Sequence, residues 1–138
     1  MEGRDVKQSP AARMALSITP KGPALWLARG MFALATAFVL YAAFAPPSDA
    51  PSLVPWDKAN HFIAFYVLTG LAAASFPRTG WILLAAGLLA LGGAIELVQA
   101  LPFVGRDGAV GDWVADGAGI AAVLGPLALA WWRGQADE

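Results

Sequence analysis

The chain has 138 residues, a formal net charge of −1, 58% hydrophobic residues and 14% charged residues, with a mean hydropathy of +0.58. Soluble domains carry about 25% charged residues, so this composition points to a membrane protein, and the near-neutral charge provides no basic field for nucleic acid. Cysteine is absent, which excludes disulfides and thiolate metal sites and leaves the redox compartment unread.

Residues 1–23 carry Arg4, Lys7, Arg13 and Lys21 among Pro10, Pro20 and Pro23, the composition of a basic, poorly structured cytoplasmic arm. Four apolar segments follow, at about 24–45, 59–76, 80–101 and 109–132, each close to the ~20 residues a spanning helix needs. Pro46-Pro47, Pro77-Arg78-Thr79-Gly80 and the stretch from Pro102 to Gly108 mark the joints, because proline lacks an amide donor and glycine opens turns. Residues 24–133 thus form one membrane domain and 134–138 a short cytoplasmic tail. The expected fold is all-α, a polytopic bundle of four transmembrane helices with no internal repeat. Ala43-Phe44-Ala45 has the small-x-small form of a signal cleavage site. The apolar run and the arm before it are long for a signal peptide and Pro46 follows the cut, so an uncleaved span is expected.

Basic residues set the orientation. Arg4, Lys7, Arg13, Lys21 and Arg29 precede or open the first segment, Arg78 lies in the second joint and Arg133 follows the last segment, leaving Lys58 and Arg106 for the other side. The positive-inside rule then places both termini in the cytoplasm, with the joints at 46–57 and 102–111 facing outward. Arg29 is shallow enough to snorkel to the interface.

This topology brings the polar residues to one depth. Asp57 and Lys58 lie at the outer mouth of the second segment with His61 one turn deeper, on the Asp57 face because i and i+4 are helical neighbours. Glu96 and Gln99 fall in the last outer turns of the third segment, Asp112 and Asp116 in the first outer turns of the fourth, and Arg106 and Asp107 in the loop between. Ionisable residues in membrane segments are costly, about 2.5–3.5 kcal/mol for Asp at a helix centre, so several together indicate a site.

The run Asp57-Lys58-Ala59-Asn60-His61-Phe62 with Tyr66, then Glu96-Leu97-Val98-Gln99, then Arg106 and Asp112 with Gly119, resembles the VanZ-like family of small bacterial membrane proteins. The likeness runs from about residue 57 to 125. It implies a cell-envelope role; the founding member is associated with resistance to the glycopeptide teicoplanin. At Asp116, where the family often has asparagine, this chain departs from the pattern.

Each residue also has a plainer reading. Asp57 and Lys58 mark a membrane boundary, and Asp57 or Asp112 suits a helix cap. His61 can be a satisfied packing histidine, and Glu96 a structural partner of Arg106 or His61. Gly92, Gly93, Gly117 and Gly119 read as close-packing faces, and Trp56, Trp81, Trp113, Trp131 and Trp132 as interfacial anchors.

The catalytic expectation makes Glu96 and His61 an acid/base pair with Asp57 orienting the imidazole. Lys58, Gln99, Arg106, Asp112, Asp116 and Tyr66 are the expected substrate-binding residues, with the cations serving a phosphate or carboxylate. The expected partner is a membrane lipid or lipid-linked envelope precursor, whose tail stays in the bilayer while its head enters the site; membrane-protein partners are also compatible. No serine or cysteine nucleophile elbow is present. The sequence names no cofactor, and no metal is assigned; a metal-assisted variant would draw on His61, Glu96, Asp112 and Asp116 and suits Mg or Mn better than structural zinc. The competing class is a non-catalytic accessory subunit or lipid-binding assembly factor, since four short spans without a repeat leave little room for alternating access.

Overall fold

A computed structural model describes residues 20–46, 48–102, 104 and 108–136. Four α-helices make up the described chain: α1 (Pro23–Phe44), α2 (Asp57–Ser75), α3 (Trp81–Gln99) and α4 (Val110–Ala136). They coincide with the expected segments to within one or two residues at most ends, α4 running four residues further. The N-terminal arm, apart from its last residues, lies outside the described residues.

The boundaries follow from local chemistry. Pro23 occupies the first turn of α1, where a missing amide costs nothing, and Gly22 before it takes a left-handed φ of 56° that glycine alone adopts freely. Pro46 and Pro77 lie just beyond the ends of α1 and α2. At the foot of α2, Arg29 Nε donates to the Ser75 carbonyl over 3.3 Å, so Arg29 serves a helix C-terminus and stacks over Trp26. Asp57 is the first residue of α2 and does not cap it; Trp56 holds the cap position and no side chain bonds there.

Three helices are long and apolar enough to cross a membrane: α1, α3 and α4 over Val110–Arg133. Their apolar side chains largely face outward, as at Leu34, Phe38, Leu83, Leu97 and Val114, which is how a membrane protein meets lipid. The remaining helix, α2, opens with Asp57, Lys58, Asn60 and His61; these polar residues lower its hydropathy. Its inner face is enclosed: Phe65, Leu68, Thr69, Ala72 and Ser75 are all buried.

The helices run antiparallel in sequence order. α2 packs most extensively on α4, then on α1; α3 packs on α4, and α1 makes only a small contact with α3 and none with α4 among the described residues. Phe65, Leu68, Ala72, Leu88, Ile95, Ile120 and Leu124 form the core with Ala43. Small residues let α2 and α4 approach closely: a Cβ built on Gly119 would stand 2.5 Å from the Phe62 carbonyl oxygen and 2.9 Å from the Tyr66 amide nitrogen. The ends of α1 and α3 therefore meet the starts of α2 and α4, and this end carries the charged residues.

Candidate functional site

Two ionic contacts cross the α2–α4 seam. Lys58 Nζ donates to Asp112 Oδ1 over 2.7 Å, and one turn deeper His61 Nδ1 lies 2.9 Å from Asp116 Oδ1. Helical spacing explains the double rung: residues 58 and 61 at i, i+3, and 112 and 116 at i, i+4, each occupy one face of their respective helices. Asp112 is buried while Lys58 is half-exposed, so the ammonium reaches from the surface to neutralise a carboxylate inside.

α3 supplies the third wall. Glu96 Oε1 stands 3.8 Å from His61 Nδ1, while its Oε2 accepts the Ala109 amide over 2.7 Å, a free amide at the start of α4. Gly92, one turn before Glu96, leaves space for the Asp116 carboxylate: a Cβ there would meet Asp116 Oδ2 at 2.5 Å. Asp116 is fully buried and Glu96 is 9% exposed. Even so, Asp116 Oδ2 and Glu96 Oε1 have no hydrogen-bond partner, although buried polar oxygens in folded proteins are nearly always satisfied.

His61, Glu96 and Asp116 thus converge as the sequence suggests, and Lys58 and Asp112 flank them. The expectation that Asp57 orients His61 is corrected. Asp57 is exposed, and the imidazole bonds instead to Asp116 across the helix seam, because the packing of α2 on α4 turns that face inward. Asp57 remains near, with ligand-type atoms of Asp57, His61 and Asp112 within 4.8 Å of one another. Gln99 makes no hydrogen bond to the acids; it donates to the Ala43 carbonyl over 2.9 Å, tying α3 to α1, and lines the cavity beside His61. Tyr66 is also apart, exposed and stacked on Phe62. Arg106 lies outside the described residues.

A cavity of about 220 Å³ opens beside His61 between α1, α2, the loop that joins them and the end of α3. Phe38, Val39 and Ala42 form its apolar side, while Asp57, Asn60, His61 and Gln99 form its polar side. Small-molecule sites commonly enclose about 300–1,000 Å³, so this one suits a head group or a short length of acyl chain rather than a whole lipid. Asn60 builds the roof. Its Oδ1 accepts the amides of Leu53 and Val54, and its Nδ2 donates to Ser52 Oγ and to the Val54 carbonyl. The sequence reading quoted Asn60 only within the run from 57 to 62 and gave it no role. An asparagine at the head of an apolar helix, after a loop containing Pro51 and Pro55, is the signal that could have found it.

Chemically, the cluster offers an imidazole flanked by two carboxylates with unused lone pairs, which can share a proton or bind a cation. Among the described residues no lysine or arginine pairs with Glu96 or Asp116. No protein-family model, no curated protein and no solved structure matches this chain.

Proposed function

We propose that this is a VanZ-like protein of the bacterial inner membrane with four spans and both termini cytoplasmic, which binds the head group of a lipid-linked envelope intermediate at an outward-facing site and acts on it through His61 and Glu96. One observation carries the reading: the imidazole of His61 is shared between the buried acidic cluster and a cavity with one apolar and one polar wall. An amphiphile is the ligand class that such a cavity suits, since its tail can leave past Phe38 and Val39 while its head meets Asn60 and His61. In this reading His61 is the acid/base group and Asp116 fixes its tautomer, while Lys58 is held by Asp112 beside them.

A second reading, a head-group binding or accessory protein without turnover, is favoured by the absence of any hydroxyl or thiol bonded to His61 or Glu96 among the described residues. The test is a lipid-extract assay on the detergent-purified protein beside Glu96→Gln and His61→Ala, with mass spectrometry of bound and converted lipids. Conversion that vanishes in the variants while lipid stays bound supports catalysis. Bound lipid without conversion moves the assignment to the binding reading, and no specific lipid in the wild type refutes both.

A further inference from the structure

We infer that His61, Glu96 and Asp116 form a binding site for one divalent transition-metal cation, buried at the junction of α2, α3 and α4. Ligand-type atoms of the three residues all lie within 4.8 Å of one another. The two separations involving His61 are more telling: 2.9 Å from Nδ1 to Asp116 Oδ1 and 3.8 Å from Nδ1 to Glu96 Oε1. Two donors each about 2.1 Å from an ion lie about 3.0 Å apart at a right angle and about 3.4 Å apart at a tetrahedral angle. The observed pair brackets these values, and the third separation, between Glu96 and Asp116, lies within the same 4.8 Å.

The second line is the pair of oxygens with nothing to bind. Asp116 is fully enclosed, yet Oδ2 is unpartnered, and Glu96 Oε1 is unpartnered while aimed at the imidazole. Two carboxylates against a neutral imidazole balance a divalent charge, which is what an apolar surrounding demands. The neighbouring ammonium does not serve, because Lys58 is bonded to Asp112. The Ala109 N–H holds the other oxygen of Glu96 at 2.7 Å, fixing the carboxylate as outer partners fix metal ligands. The ion takes a neutral imidazole with a bare Nδ1 and its proton on Nε2, so His61 protonated on both nitrogens releases its Nδ1 proton to solvent on binding. One nitrogen and two carboxylate oxygens suit manganese, iron or zinc better than calcium, and three protein donors leave positions for water or a ligand oxygen.

The other grouping, Asp57, His61 and Asp112, is the weaker candidate, because Asp57 is exposed and Asp112 already holds Lys58. The inference stands apart from the lipid reading, since the ion is scored with no lipid present.

The chain contains a single histidine, and that makes the test sharp. The full chain, carrying an affinity tag without histidine, is stripped with chelator in detergent and titrated with Mn²⁺ under electron paramagnetic resonance. The expected result is saturation at about one Mn²⁺ per chain, with pulsed spectra showing coupling to an imidazole nitrogen that can come only from His61. Glu96→Gln and Asp116→Asn should each weaken binding at least about tenfold. If either variant fails to fold, the nitrogen coupling of the wild type decides alone. No bound Mn²⁺ at about 1 mM, or bound Mn²⁺ without nitrogen coupling, overturns the proposal and leaves the cluster as a proton-sharing one.

Discussion

Gly119→Ala tests whether the α2–α4 seam sets the geometry of the charged site. The added methyl would stand 2.5 Å from the Phe62 carbonyl oxygen and 2.9 Å from the Tyr66 amide nitrogen, both backbone atoms that no rotamer can move aside. Restoring an ordinary 3.4 Å contact drives the two helices apart by about 0.9 Å. Gly119 is one turn from Asp116, so the 2.9 Å contact with His61 opens to about 3.8 Å, beyond hydrogen-bond range. Overpacking of this kind costs about 1–3 kcal/mol, and the lost bond to a charged group adds to it, for a total of about 2–5 kcal/mol. Gly125→Ala is the control: it lies on the same helix with nothing within 4 Å of a built Cβ, and should be neutral or gain up to about 1 kcal/mol from helix propensity. Unfolding is followed by circular dichroism in mixed micelles of mild detergent and dodecyl sulfate. If Gly119→Ala falls within about 0.5 kcal/mol of Gly125→Ala, the seam is not close-packed and the stated cause of the His61–Asp116 alignment is wrong.

Two further outcomes follow from features at the same end. Lys58→Met should lower the unfolding midpoint more than the double variant Lys58→Met/Asp112→Leu, because the single change leaves a buried carboxylate without its 2.7 Å partner; equal midpoints would show that the bridge is water-screened. The absence of native cysteine permits clean topology mapping. A cysteine at Ser48 should react with an impermeant maleimide from outside the cell and one at Arg78 only after the membrane is opened, and the reverse pattern would invert the proposed orientation.

Much of the architecture was legible because membrane helices are read from length and composition. The runs ending at Pro46 and Pro77 gave boundaries that agree closely with α1 and α2, and alternation of direction alone brings residues 57–61, 96–99 and 112–116 to one end. Partner choice was not legible. The i, i+4 rule pairs Asp57 with His61, but the imidazole belongs to Asp116, since the rotation of α2 about its axis is set by how Phe62 and Tyr66 seat against Gly119. Helical periodicity says which residues share a face and nothing about what that face meets. For the same reason Gln99, placed among the site residues by depth, turned out to brace α1, and Tyr66 to lie on the exposed side. Gly92 and Gly119 were recognised as packing positions; that Gly92 makes room for a carboxylate is visible only once α3 and α4 are side by side.

The one-sided attachment of α1 has a mechanical meaning. With α4 out of its reach and only a small contact with α3, α1 leans on α2 and is pinned at its far end by Gln99. The remaining three helices close on one another through Lys58–Asp112, His61–Asp116 and Glu96–Ala109 without its help. The described helices are therefore a keystone of three with a fourth laid alongside α2, and the cavity follows that line of contact. Widening it from the α1 side would have to part the Arg29–Ser75 bond and the Phe32–Phe76 ring contact as well as the Gln99 tie, while the charged rungs behind it stay in register.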